Sequence, residues 1–232
     1  MAYSKRLPPQ VNLKRLKNDG SETITGLPSC RDDPARVTVI VSSKRIGRIL
    51  IETKTKHRLT KGMRWSSELR DALYEELTRQ NALRSAVRML TLSARSRVDL
   101  ERSLIGRSHP REAAVWAVER MDAMGAIDDE LFAAGLVRRE LVRKPAGRRL
   151  LESKLRAKGV SDDIAQRVID EALGERDPYE DAMKIATRAV RAMGDSLERE
   201  KKYRRLTGKL ARRGFDADVV RRAVEAALRE CD

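Results

Sequence analysis

The carboxyl-terminal part of this chain is written twice. Shifting Leu151 to Leu173 forward by 55 positions sets Leu151 on Leu206, Lys154 on Lys209, Leu155 on Leu210 and Gly159 on Gly214. The match continues with Asp163 on Asp218, Arg167 on Arg222, Ala172 on Ala227 and Leu173 on Leu228, while Ile164 and Ile169 meet valines. A fainter copy lies upstream, where Leu100 and Leu104 stand as Leu151 and Leu155 do and 110–124 follows as a third helix. Leucines four apart share one helix face, which is assigned to a core. From Glu68 onward, breaks at Ser93, Ser108 with Pro110, Gly125, Pro145 with Gly147, Gly159, Gly174 with Pro178, Gly194 and Gly214 mark out about nine helices in three sets of three. Self-similarity at this period means three tandem three-helix units. A single unit is too small to bury a core on every side, so neighbours are expected to stack. A constant rotation between them gives a curved, elongated body with an extended binding face.

The residues ahead of the helices have a different texture. Pro8, Pro9, Gly20, Gly26, Pro28 and Pro34 punctuate residues 1–35, which read as a disordered leader. Arg36-Val-Thr-Val-Ile-Val-Ser42 and Arg45-Ile-Gly-Arg-Ile-Leu-Ile-Glu52 are β-branched runs separated by Ser43 and Lys44, the signal of a β-hairpin. Lys54 to Arg64 is basic and contains Gly62, as a loop would, and Ser66 or Ser67 offers a cap for a long helix. The expected divisions are therefore a leader over 1–35, a hairpin and connecting helix over 36–80, and helical repeats over 81–127, 128–176 and 177–232. The fold class is mainly α, three tandem three-helix repeats with a short amino-terminal β-hairpin. With 41% apolar but only 3% aromatic residues, the core supply is Ala, Leu, Val and Ile, which suits helix on helix and argues against an all-β sandwich.

Several function classes are disfavoured. No apolar run of about 18 residues is available for a spanning helix, and Met1 to Leu16 lacks the apolar block of a secretory signal. The expectation is a cytoplasmic protein with no membrane partner. Cys30 and Cys231 lie near opposite ends, in segments that read as leader and frayed terminus, and His57 and His109 are the only histidines. Neither pair has the spacing of a metal site or a triad. Asp128 with Asp129 and Asp162 with Asp163 each precede an apolar-periodic helix, where carboxylates cap free amides. With no glycine-rich phosphate loop or nucleophile elbow either, no catalytic, metal or cofactor residue is assigned, and the chain is read as a non-enzyme.

Charge points towards a polyanion. The 50 Lys and Arg against 35 Asp and Glu give a net charge of +15, whose field attracts polyanions such as nucleic acid or anionic membrane. The charge is segregated by helix: Leu136 to Val160 holds nine basic and two acidic residues, whereas Ser161 to Met183 holds eight acidic and two basic. Basic second helices could simply pair with acidic third helices, yet the pattern recurs, since Arg149, Lys154 and Lys158 shift onto Arg204, Lys209 and Arg213. Only eight aromatic residues are present. Trp116, Phe132, Tyr179, Tyr203 and Phe215 fall where packing is expected rather than base stacking. DNA contact would then be to phosphate and weakly sequence-specific.

The stretch Met124-Gly-Ala-Ile-Asp-Asp-Glu-Leu-Phe132, continuing through Arg138-Arg-Glu-Leu-Val-Arg-Lys-Pro-Ala-Gly147 to Leu155-Arg-Ala-Lys-Gly-Val160, resembles the most recognisable part of the RecX family. Ala86-Val-Arg-Met-Leu90 and Arg95-Ser-Arg-Val-Asp-Leu-Glu-Arg-Ser-Leu104 look like its first unit, and Lys209-Leu-Ala-Arg-Arg-Gly-Phe215 like its last. The resemblance covers roughly 80–230. It implies a helical-repeat modulator that lies in the groove of the RecA filament, contacts protomers and DNA, and suppresses nucleotide hydrolysis and strand exchange. On that basis Arg138, Arg139, Arg143, Lys144, Arg148, Arg149, Lys154 and Lys158, with Arg204, Arg205, Lys209, Arg212 and Arg213, are the candidate contacts to RecA carboxylates or to single- and double-stranded DNA. A monomer is expected. The competing expectation is an architectural DNA-binding protein that acts without RecA.

Overall fold

β-branched residues are concentrated in one stretch of the chain, and that stretch forms its sheet. The computed structural model describes residues 22–194 and 197–230. Strands β1 (Ile24–Gly26), β2 (Ser29–Cys30), β3 (Asp33–Val41) and β4 (Lys44–Leu50) make one antiparallel sheet centred on β3. β4 pairs along β3 from Arg36 with Leu50 to Val41 with Lys44, while β1 pairs with the end of β3 and β2 with its start. Ser42 and Ser43 have φ of 46° and 64°, as a two-residue turn matching the strand twist requires. The turn lies one residue earlier than the sequence pattern places it. The pattern also extends the second strand to Glu52, but helix α1 (Ile51–Lys56) begins at Ile51. Glu52 in its first turn and Lys54 and Lys56 in its last suit the helix dipole.

Of the stretch read as a leader, 1–21 lies outside the described residues, whereas Ile24 and Cys30 are buried on β1 and β2. Strands of three and two residues hold too few alternations to stand out between prolines and glycines. What places them is main-chain pairing with β3, which no side-chain period reports. Cys231 also lies outside the described residues.

Beyond Ser66 the described residues form nine helices: α2 (Ser67–Leu92), α3 (Arg97–Gly106), α4 (Arg111–Ala123), α5 (Asp129–Arg143), α6 (Arg148–Ala157), α7 (Asp162–Leu173), α8 (Pro178–Arg191), α9 (Arg199–Arg212) and α10 (Ala217–Arg229). Ser66 Oγ accepts from Leu69 N at 3.2 Å and so caps α2. Two compact units divide the chain, one holding everything up to Arg84 with Ser108–Ala117, the other Ser85–Arg107 and everything from Val118. The first expected repeat, 81–127, is therefore shared between them. In the first unit Val37, Val39 and Val41 of β3, with Ile46 and Ile49 of β4, pack on Leu73 and Leu77 of α2. There Glu76 also accepts from Thr53 Oγ1 at 2.8 Å and from Lys56 Nζ at 3.0 Å, and lies 3.1 Å from His57 Nε2, so His57 ties α1 to α2.

In the second unit α5, α6 and α7 close around Phe132, Val137, Leu151, Leu155 and Ile169. Helices α8, α9 and α10 close around Ala186, Leu206, Leu210, Phe215, Val224 and Leu228. Each three-helix bundle thus has its own apolar cluster, where the sequence pattern suggests that stacking would supply it. The paired leucines of α6 and α9 face their own bundle, and consecutive bundles meet through polar contacts at helix ends instead. Gly147 N, at the start of α6, donates to Arg213 O at 2.9 Å, and Arg149 N donates to Gly214 O at 3.3 Å, both just past the end of α9. One unit earlier Ser96, the cap of α3, donates its Oγ to Lys158 O, and Arg102 Nη1 donates to Ala157 O at 3.2 Å. The start of each second helix therefore satisfies carbonyls left open at the end of the next one.

This joint explains the repeated glycine. Gly159 and Gly214 have φ of 72° and 79°, and a Cβ would stand 2.4 Å from Val98 Cβ in the first case and 2.2 Å from Leu150 N in the second. Gly125 also has positive φ, 68°, but a Cβ there meets nothing within 4 Å. Gly125→Ala is expected to lose only the left-handed backbone penalty, about 1–2 kcal/mol. Gly214→Ala adds overpacking against backbone, for a total of about 2–5 kcal/mol. Urea denaturation of both variants checks this, and equal losses would mean that the joint is not tight.

Candidate functional site

Helix periodicity decides which of the thirteen candidate cations reach solvent. On α9 the buried Leu206 and Leu210 fix the inward face, which leaves Arg204, Arg205, Lys209 and Arg212 exposed. On α5 the buried Phe132, Ala133 and Val137 do the same, and Arg138, Arg139, Arg143 and Lys144 are exposed around its carboxyl-terminal end. None of these eight has an ion-pair partner among the described residues. Cations also suit that end of a helix, where backbone carbonyls are unsatisfied and the dipole is negative.

The other five are engaged within the fold. Arg148 pairs with Asp170 of α7, as basic second helices facing acidic third helices would. Arg149 lies 3.0 Å from Asp216 with both side chains well exposed, so this pair contributes only about 0–1 kcal/mol and can exchange for another anion. Lys158 reaches Asp99 at 2.9 Å. Lys154 lies 3.1 Å from Glu140, and Arg213 meets the other oxygen of the same carboxylate at 3.0 Å. Arg213 also donates through Nε and Nη2 to Pro145 O at 2.9 and 2.7 Å, and through Nη2 to Lys144 O at 2.8 Å. Its guanidinium therefore closes the end of α5.

Lys158 and Arg213 occupy equivalent positions of the repeat, and each reaches back to a carboxylate of the preceding unit. They hold joints rather than offering free charge. Through Arg213 the carboxyl-terminal ends of α5 and α9 are tied together, which brings the exposed cations of Arg143 and Lys144 into the neighbourhood of the last turn of α9. Glu140 is the residue that the sequence reading missed. Its only signal is that it is one of two acids in a run of nine bases. Its side chain is 12% exposed. Burial pushes its carboxyl up, but hydrogen bonds from Lys154 and then Arg213 outweigh that and hold it below the ordinary glutamate range.

The first acid pair caps helices, whereas the second stands inside the first turn of its helix. Asp128 accepts from Leu131 N at 2.8 Å at the start of α5, and Asp129 accepts from Arg97 N at 2.8 Å at the start of α3. Ser161 is the N-cap of α7, with Asp162 and Asp163 in its first turn. Phe132 and Phe215 are buried, while Trp116 and Tyr179 lie under Arg79 and Arg222 at 5.8 and 4.8 Å. No group of three or more metal-ligating side chains occurs among the described residues, and no helix there is long and apolar enough to cross a membrane.

Known proteins share this arrangement. Profiles of the second and third three-helix domains of RecX match residues 128–173 and 175–224, the bundles α5–α7 and α8–α10. Regulatory protein RecX of Mycolicibacterium smegmatis is 34% identical over 159 residues, which cover 64% of this chain and 80% of that one. Regulatory protein RecX of Chlorobaculum tepidum is 33% identical over 156 residues, covering 67% of this chain and 94% of its own length. The chain belongs to the RecX family. A crystal structure of a regulatory protein RecX has the same fold, with TM-score 0.61 at 21% identity over 85% of this chain and 96% of that one. RecX proteins are non-enzymatic regulators that modulate RecA, which places this chain among RecA regulators built of helical repeats.

Because the folded pKa of Glu140 lies below its unfolded value, its stabilisation is complete above roughly pH 4.3 and is lost as pH falls through the lowered folded value. Glu140→Gln is expected to lose about 2 kcal/mol at neutral pH and to show a shallower fall in stability on acidification. Urea midpoints measured in steps down to about pH 3 check this, and an equally steep fall in the variant would remove Glu140 from the account.

Proposed function

We propose that this RecX-family chain regulates RecA by binding the RecA–DNA filament directly, with the exposed cations of α5 and α9 as its contact surface. The observation that carries the reading is their lack of partners. Eight Lys and Arg side chains stand exposed on two helices of one unit and pair with no acid there, while neighbouring cations of the same sequence runs are consumed by joints. Arg138, Arg139, Arg143 and Lys144, with Arg204, Arg205, Lys209 and Arg212, make charge-assisted hydrogen bonds to DNA phosphates or RecA carboxylates. Arg149 joins them by exchanging Asp216 for a stronger anion. Lys154, Lys158 and Arg213 act indirectly by fixing the helices. Phosphate contact of this kind is insensitive to base sequence and applies to single and double strands alike.

The sign of regulation is inhibition, of nucleotide hydrolysis and of strand exchange, and the chain acts as a monomer in the cytoplasm, where RecA filaments assemble. Support for inhibition is the family resemblance, and support for the monomer is the like charge, +15, that two copies would have to bring together.

The test is a variant in which Arg204, Arg205, Lys209 and Arg212 become Glu. DNA affinity is expected to collapse, with the slope of log affinity against log salt reduced by about 0.9 for each lost contact to duplex phosphate, and ATP hydrolysis by the cognate RecA on single-stranded DNA is expected to escape inhibition. Retained inhibition by this variant would contradict the assignment. Unaffected RecA in the presence of wild-type protein that binds the same DNA would favour an architectural role without RecA.

A further inference from the structure

Helix α5 is apolar on two sides, and only one is used. Phe132, Ala133 and Val137 face the bundle core. On the outer side Leu131 is 71% exposed and Val142 is 80% exposed. Positions 131, 135, 138 and 142 follow one another at helical spacing, so Leu131, Gly135, Arg138 and Val142 form a single stripe. It borders a groove of about 580 Å³ between α5 and α7, whose other wall includes Val168 and Ala172. Solvated helix faces rarely carry such a stripe, and an uncovered one marks a contact surface.

The last unit supplies an internal control. Aligning the caps Asp128 and Asp177 superposes α5 on α8, with the buried Ala133 and Val137 on the buried Ala182 and Ala186. Where α5 has Leu131, Gly135 and Val142, α8 then has Glu180, Lys184 and Arg191, all exposed. The bundle tolerates charge at these positions, so packing within the unit does not demand the apolar residues of α5. Gly135 supports the same point. A Cβ there meets nothing within 4 Å, so no internal contact requires the glycine, although glycine inside a helix destabilises it relative to alanine. Its effect is a notch in the stripe, open outward.

The geometry points to this groove as the protein-docking surface of the chain, taking an apolar element of RecA that is flanked by carboxylates. Charge selects that occupant. The rim carries two arginines, Arg138 in the stripe with no ion-pair partner among the described residues and Arg176 beside α7 with Asp181 as its partner, against the single acid Glu171. A second copy of a chain with net charge +15 would bring like charge to that rim. DNA has the phosphates but no apolar side chains to cover Leu131 and Val142. A concave apolar groove with a cationic rim matches an amphipathic acidic element laid along it. The inference rests on the RecA reading above and divides the labour within it: the groove of α5 grips protein, while the face of α9 grips phosphate.

The test replaces the stripe with the residues that α8 already carries, as Leu131→Glu, Gly135→Lys and Val142→Arg in one chain. The change raises net charge by one and uses a face that the fold accepts in the last unit, so the thermal melt and DNA affinity are expected to hold. Affinity for the cognate RecA, measured without DNA, is expected to fall at least about tenfold, as for loss of a central anchor, and inhibition of hydrolysis on single-stranded DNA to weaken with it. Unchanged RecA affinity in a folded variant would overturn the inference while leaving the RecA reading intact. Absence of any RecA binding by the wild-type protein would instead sink that reading. Should the variant fail to fold, Val142→Arg alone, at the most exposed position, decides by the same RecA measurement. Wild-type binding to anionic lipid vesicles that the variant loses, with RecA affinity unchanged, would identify a membrane as occupant and overturn the inference.

Discussion

The contact between the beginning of one second helix and the end of the next is the constraint on which the helical repeats depend. Helix ends leave carbonyls and amides without partners, and burying them unpaired is costly. At the later joint the two kinds of orphan are set against each other, Gly147 N on Arg213 O, and at the earlier one the Ser96 hydroxyl takes the open carbonyl of Lys158. The approach is close enough that a Cβ on Gly214 or Gly159 would collide. Since each of the bundles α5–α7 and α8–α10 has its own apolar cluster, the joint is free to be small, polar and specific in angle.

The same joint sorts the cations. A run of like charge is unstable next to itself unless some members are neutralised, and the fold neutralises those at the joints. Glu140 takes Lys154 and Arg213, and Asp99 takes Lys158. Anchoring these leaves the others projecting from rigid helices, where less backbone order must be gained on binding than on a loop. An acidic residue within the proposed contact surface is thus part of its construction. The surface combines freed cations on α5 and α9 with the uncovered stripe of Leu131, Gly135 and Val142, and two chemically different faces on one unit suit a filament made of protein and nucleic acid together.

Much of this was legible in the sequence because it is periodic. The 55-residue repeat located the leucines of α6 and α9, the glycines after them and the nine helices, and the β-branched runs located β3 and β4. What escaped was aperiodic. Strands β1 and β2 are too short to show alternation, and α1 begins where an apolar run still continues through Ile51. The candidate site was legible as a set of basic runs but not residue by residue. Composition treats Arg212 and Arg213 alike, yet one is exposed and the other is fastened to Glu140, Lys144 and Pro145. That difference arises from contacts about seventy residues apart, beyond any local pattern. The apolar side of α5 was hidden for a related reason: in a sequence, Leu131 next to Phe132 looks like more core.

The most direct measurement is ATP hydrolysis by the cognate RecA on single-stranded DNA as the wild-type chain is added in small amounts. A regulator that engages the filament acts on many protomers at once, so hydrolysis should fall when the chain is present at well below one copy per RecA. Hydrolysis that stays constant through equimolar addition, under salt conditions in which the chain demonstrably binds that DNA, would contradict a filament regulator and leave only a basic DNA-binding protein.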